Sequence, residues 1–220
     1  MSEKLRLRFE KTGRAIYISH LDLMHTMQRA FSRAGYALKY SEGFNPHPQI
    51  SIALPLSVGA ASLCEIMDFK LKEDPILSEL PEKLTAVLPE GITVTEAYEP
   101  ERKVALLKWL EVEGVMEYDE RDPVEMTRAL TAFYAADSVV ITKKTKRGMG
   151  ETDIRPGIRE ISFEASEKAV LVRAVISAQE PTVNPELLAE ALRQRQSEIA
   201  PDFAKFTRIE TYDADGKVFR

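Results

Sequence analysis

The sequence predicts an α+β protein built from tandem ferredoxin-like (βαββαβ) domains, and three observations predict it. Stretches of alternating apolar and polar residues are interleaved with stretches whose apolar residues recur every three or four positions. In the first half these segments run strand, helix, strand, strand, helix, strand, the split βαβ pattern. The second half repeats that order by spacing rather than by residue identity. The junction falls near residues 99–106, giving expected domains 1–98 and 99–220. A single larger α+β domain is the competing arrangement.

In the first half, Leu5, Leu7 and Phe9 alternate with Arg6, Arg8 and Glu10, the period of a half-buried strand. After a turn at Lys11-Thr12-Gly13-Arg14, Ser19 opens a helix with Asp22 three residues on, a relative of the capping box. Met24, Met27, Phe31 and Ala34, widened by Leu23 and Ala30, form its apolar stripe, and Gly35 marks its end. Ala37 to Tyr40 is a short extra strand. Ser41 to Pro48 is a loop, because two prolines and a glycine exclude regular structure. Gln49 to Leu54 and Cys64 to Leu71 are strands. Asp74-Pro75 starts a helix running to about Leu88, interrupted by Pro81, and Ile92 to Tyr98 closes the half as a strand.

In the second half, Leu107 to Met116 is a strand and Asp122-Pro123 begins a helix reaching about Ala135. Ser138 to Thr142, Ile158 to Phe163 and Ala169 to Ile176 are strands. Asn184-Pro185 begins a helix ending near Arg193, and Phe206 to Tyr212 is the last strand.

The chain has 220 residues, 44% apolar and 30% charged, an ordinary globular balance. Its formal net charge is −5; residues 1–98 carry 11 basic against 12 acidic side chains and the remainder 19 against 23. Neither half is a basic domain, so no global electrostatic footprint for nucleic acid exists. The single cysteine, Cys64, excludes an internal disulfide and a closed cysteine-based zinc site. The N-terminal residues lack the apolar core of a signal peptide and no apolar run spans a bilayer, so the expected location is cytoplasmic.

Residues 17–48 hold all three histidines, His20, His25 and His47. Two histidines and Asp22 are ligand types suited to zinc or iron. Asp22 is better explained by the positive end of the helix it sits in, so no metal site is expected. His47, between two prolines, is held extended beside Phe44 and Asn45. It is either a rigid connector or a side chain displayed to a partner. The basic run Lys143, Lys144, Lys146 and Arg147 offers weak phosphate contacts. Arg6 and Arg8 would line an open sheet face, with Tyr17 and Tyr40 as aromatic neighbours, if that face is free. Asp153 and Arg155 read as a local salt bridge fixing a turn. No phosphate loop, dinucleotide fingerprint or nucleophile elbow is present, and one cysteine cannot ligate an iron–sulfur cluster.

The blocks YISHLDLM (17–24), LKYSEGFNPHP (38–48) and ALPLSVG (53–59), with DIRP (153–156) and RIETY (208–212), resemble the signature of the radical SAM-linked protein family, domain of unknown function 2344. His25 stands where that family more often has a basic residue. The resemblance implies a radical SAM protein as partner. It also implies, through genes near those for a ribonuclease and ribosomal proteins, work on RNA or the ribosome. The expected function is an accessory, substrate-presenting subunit without cofactors of its own, the iron–sulfur cluster and SAM belonging to the partner. The motif positions Tyr17, His20, Asp22, Lys39, Tyr40, Phe44, Asn45, His47, Asp153 and Arg155 are the expected binding surface. The alternative is an RNA-processing or RNA-modifying enzyme using His20 or His47 as acid or base.

Overall fold

The computed structural model describes residues 4–145 and 148–220, which fall into two compact units, 1–104 with Arg220 and 105–219. Each unit is a ferredoxin-like βαββαβ fold.

The first unit contains strand β1 (Leu5–Lys11), helix α1 (His20–Arg33), β2 (Ile50–Ile52), β3 (Ala61–Phe69), α2 (Leu80–Thr85) and β4 (Ile92–Tyr98). Its strands lie in the order β4-β1-β3-β2, every neighbouring pair antiparallel, as the split βαβ pattern requires. Leu5, Leu7 and Phe9 bury one face of β1 against Leu23, Met27, Ala30 and Phe31 of α1 and Leu80 and Leu84 of α2. Phe31 and Phe69 meet with ring centroids 4.9 Å apart. Helix α1 begins where Ser19 accepts a hydrogen bond from the Asp22 N–H at 3.2 Å. It ends in a Schellman motif: Tyr36 N–H donates to the Phe31 carbonyl at 2.8 Å and Gly35 N–H to that of Ser32 at 3.2 Å. Gly35 has φ +84°, the left-handed conformation this motif needs.

The second unit contains β5 (Trp109–Glu117), α3 (Pro123–Tyr134), β6 (Val140–Thr145), β7 (Gly148–Asp153), β8 (Ile158–Ala165), β9 (Ala169–Ser177), α4 (Glu186–Arg195) and β10 (Phe203–Tyr212). The order β10-β5-β9-β8 repeats that of the first unit, again antiparallel throughout. Leu110, Val112, Val170, Val172 and Ile176 are buried on the helical side with Leu130, Leu188 and Leu192. Gly114 is obligatory for a different reason: its register partner is Phe206, whose ring occupies the space a Cβ would need.

Three expectations are corrected. The second helix does not start at Asp74-Pro75. A 3-10 turn at Leu77–Glu79 precedes α2, which takes Pro81 into its first turn, where a missing N–H costs nothing, and places Leu80 and Leu84 in the core. The strand expected at Ser138 to Thr142 is half of a hairpin, β6 with β7, which forms a separate two-stranded sheet. Gln194 of α4 holds that hairpin through its side-chain amide, which accepts from Thr142 N–H at 2.8 Å and donates to the Thr142 carbonyl at 2.9 Å. Finally, Arg6 does not line an open face. It is wholly buried, with Nε 2.6 Å from Oδ1 of Asp68 and Nη2 3.2 Å from Oδ2, while Lys4 reaches Oδ2 at 2.6 Å. Arg8 is half-buried beside Glu96 at 3.5 Å. A two-residue period cannot tell solvent from a buried ion pair, because both accept a charged side chain.

Candidate functional site

The short edge strand of the first unit is split in two by the GFNPHP block. Residues 37–39 run antiparallel to 70–72, with a bridge between Leu38 and Leu71, and β2 then continues along 67–69. Between them the chain leaves the sheet at Tyr40 and returns at Pro48. The base of this excursion is closed by backbone bonds. Gln49 N–H donates to the Lys39 carbonyl at 2.8 Å, Lys39 N–H to that of Lys70 at 2.8 Å, and Lys70 N–H to that of Gln49 at 3.0 Å. Above the base, Ser41 and His47 pair twice. Ser41 N–H donates to the His47 carbonyl at 2.8 Å, and His47 N–H donates to the Ser41 Oγ at 2.9 Å.

The excursion therefore has a fixed neck and an exposed tip. Phe44 is fully exposed, Asn45 and His47 are exposed, and Tyr40 is about half exposed, while Lys39 at the neck is half-buried. An aromatic ring left in water costs burial energy that a core position would recover. Phe44, Tyr17 and Tyr40 nonetheless stand on the surface.

The YISHLDLM block lies at the start of α1. Tyr17 is 70% exposed at the end of the 3-10 turn Gly13–Tyr17, Asp22 is exposed and His20 half-buried. Ser19 Oγ also donates to Asp22 Oδ2 at 2.7 Å, so Asp22 serves the helix cap. The third block is tied to the residue just before this one by Gly59 N–H, which donates to the Ile16 carbonyl at 2.9 Å. Among the described residues, no hydrogen bond, ion pair or ring contact links His20 to His47, and no group of three or more His, Cys, Asp or Glu side chains could hold a metal ion.

In the second unit, Asp153 and Arg155 act separately on the backbone rather than as a salt bridge. Asp153 Oδ1 accepts from Val139 N–H at 2.8 Å and Arg155 N–H at 3.0 Å; Arg155 donates to the carbonyls of Ile158 at 2.7 Å and Ala136 at 3.2 Å. Burial would raise the Asp153 carboxyl, but those N–H donors hold it below its ordinary value. Both residues brace the base of the β6–β7 hairpin. Of the basic run, Lys143 is half-buried and Lys144 lies on β6; Lys146 and Arg147 lie outside the described residues.

A cleft that holds none of the predicted binding residues lies on the second unit's sheet, on the side away from its buried core. It has a volume of about 570 Å3 and is lined by Trp109, Glu111, Arg159, Glu160, Arg173 and Tyr212 among others. Tyr212 faces Trp109 across the β10–β5 ladder. The Tyr212 hydroxyl donates to Glu111 Oε2 at 2.6 Å. The Arg159 guanidinium stands 5.7 Å from the Trp109 ring centroid. Arg173 is bonded to Glu113 and lies 3.9 Å from Glu111 Oε1. The alternation of Trp109, Glu111 and Glu113 with Leu110 and Val112 was the readable signal. That Tyr212 and Arg173 stand beside them depends on strand order.

The family model for an uncharacterized protein conserved in bacteria, DUF2344, matches residues 4–185. The chain belongs to this family. No curated protein matches it. Among solved structures, a chain of the crystal structure of a Cbf5-Nop10-Gar1 complex is similar at a TM-score of 0.52 and 9% identity over 94% of this chain and 48% of that one. This chain thus spans about half the length of that relative. At such identity the likeness extends to the α+β fold alone. A chain described as an unknown protein from Galdieria sulphuraria is also similar, at 10% identity and a TM-score of 0.27, covering 94% of this chain and 99% of that one. Among the described residues, no helix is long and apolar enough to cross a membrane.

Proposed function

We propose that this protein is a non-catalytic recognition subunit that docks a radical SAM enzyme through the 40–48 excursion and presents RNA to it. The observation that supports this reading is the fully exposed Phe44 on a loop whose neck is closed by backbone hydrogen bonds. A pre-ordered loop loses little conformational entropy on binding, and an aromatic ring at its tip is the kind of residue that anchors an interface. The radical SAM partner and the RNA substrate come from the family resemblance, by gene association. The iron–sulfur cluster and S-adenosylmethionine belong to the partner in this reading, and the work is cytoplasmic.

The test is a native pull-down of the tagged protein from its own cells, compared with a variant carrying Phe44→Ala, Asn45→Ala and His47→Ala. A radical SAM protein should co-elute with the wild type and be lost with the variant, whose melting temperature should stay within a few degrees. Recovery of the same partner by both would remove the excursion from the interface. Recovery of RNA or ribosomes without such a protein would sink the accessory reading.

A further inference from the structure

The cleft on the second unit's sheet has a composition unlike that of an ordinary strand surface. Trp109 is the only tryptophan in the chain. It stands half-buried on the side of β5 that faces away from Leu110, Val112 and Met116, so it contributes little to the core. Tyr212 is its direct cross-strand partner, and the Arg159 guanidinium and the Lys108 ammonium lie 5.7 and 5.9 Å from its ring centroid. Aromatic rings on the exposed face of a four-stranded antiparallel sheet are platforms on which unpaired bases stack.

The polar residues narrow the ligand further. Among the described residues, the lining pairs two arginines, Arg159 and Arg173, with two glutamates, Glu111 and Glu160, and Glu113 is bonded to Arg173 beside it, so the cleft is not basic. A groove built to track a phosphate backbone would be basic. Here phosphate attraction is offset, and selectivity must come from what fits against the ring and the fixed carboxylate. Glu111 is held by the Tyr212 hydroxyl through one oxygen and approached by Arg173 through the other. A carboxylate so fixed accepts from an exocyclic amino group, and a volume near 570 Å3 lies in the range that admits a nucleotide.

We infer that this cleft binds a single unpaired nucleobase of single-stranded RNA. The base stacks on Trp109 and gives an amino-group hydrogen bond to Glu111. Adenine, cytosine and guanine bear that group and uracil does not. This deepens the RNA part of the function proposed above and rests on that part alone. The pull-down reads a different surface, so either can fail without the other.

Because Trp109 is the sole tryptophan, its fluorescence reports on this cleft alone. Titration of the full chain with five-nucleotide oligomers of A, C and U should give saturable quenching by A and C and weaker quenching by U. Arg173→Ala and Glu111→Gln keep the reporter; Glu111→Gln should erase the preference over U, and each should weaken binding roughly tenfold with the melting temperature little changed. Trp109→Ala, followed by anisotropy of a labelled oligomer, should lose binding by about tenfold or more. Absence of saturable quenching by every oligomer would overturn the inference. So would equal quenching by inorganic phosphate, or unchanged affinity and preference in Glu111→Gln.

Discussion

In the first unit, the sheet face turned away from the helices carries Arg6, Ser62, Cys64, Ile66 and Asp68, all buried. In the second, the equivalent face carries Trp109, Glu111, Glu113, Leu171 and Arg173, half-buried or exposed. The strand order and antiparallel pairing are the same in both. Each face also holds an arginine bonded to a carboxylate across a strand pair, Arg6 with Asp68 and Arg173 with Glu113. The two pairs differ in solvent: side-chain exposures are 1% and 2% for the first, 64% and 45% for the second. One sheet face thus serves as interior and the other remains available to a ligand. Topology sets where a side chain stands, while burial sets what its charge does to stability.

Breaking the two pairs should separate these roles. The largest effect is expected from Arg6→Ala, which takes from the buried Asp68 its buried partner and leaves it the half-exposed Lys4; the loss should be about 3–5 kcal/mol in urea unfolding. A loss below about 1 kcal/mol would mean that Asp68 is rehydrated and the buried-face description is wrong. An intermediate effect is expected at the core of the second unit. Gly114→Ala pushes a methyl group into the Phe206 ring and should cost about 1–3 kcal/mol without altering the cleft on the opposite face. Trp109 emission should then be unchanged in wavelength, and a shift would show the two faces coupled. The smallest effect is expected from Arg173→Ala, within about 1 kcal/mol, because an exposed pair is screened by water. That variant is the counterpart of Arg6→Ala, and a larger loss would mean the open face is more structural than its exposure implies.

Much of the local architecture was legible. Ser19 and Gly35 bracket α1, and Asp122 caps α3 by accepting from Val124 N–H at 3.0 Å, because caps are read by residues only a few positions away. Asp74-Pro75 carried the same kind of signal and failed. There the burial of Leu80 and Leu84 decided which proline entered the helix. Only β6 of the β6–β7 hairpin is legible in the sequence, since Gly148 to Asp153 lacks the apolar alternation of a strand, and its pairing to β6 supplies the order instead.

The candidate surfaces divide along the same line. The loop character of residues 41–48 follows from Pro46, Pro48 and Gly43, whose backbone restrictions act wherever the chain goes. Its emergence as an excursion inside an edge strand does not follow, because that requires Lys39, Gln49 and Lys70 to meet. Sequence by itself determined the order of strands and helices, the tandem repeat of that order and the residues of the family blocks. These rest on periodicity and on interactions within one turn of chain. Only the tertiary structure decided that Arg6 is interior, that Phe44 stands on a closed neck, and that Trp109, Tyr212, Glu111 and Arg173 share one cleft. Each of those facts depends on strands distant in sequence lying side by side, and burial and charge pairing are properties of that neighbourhood rather than of any residue alone.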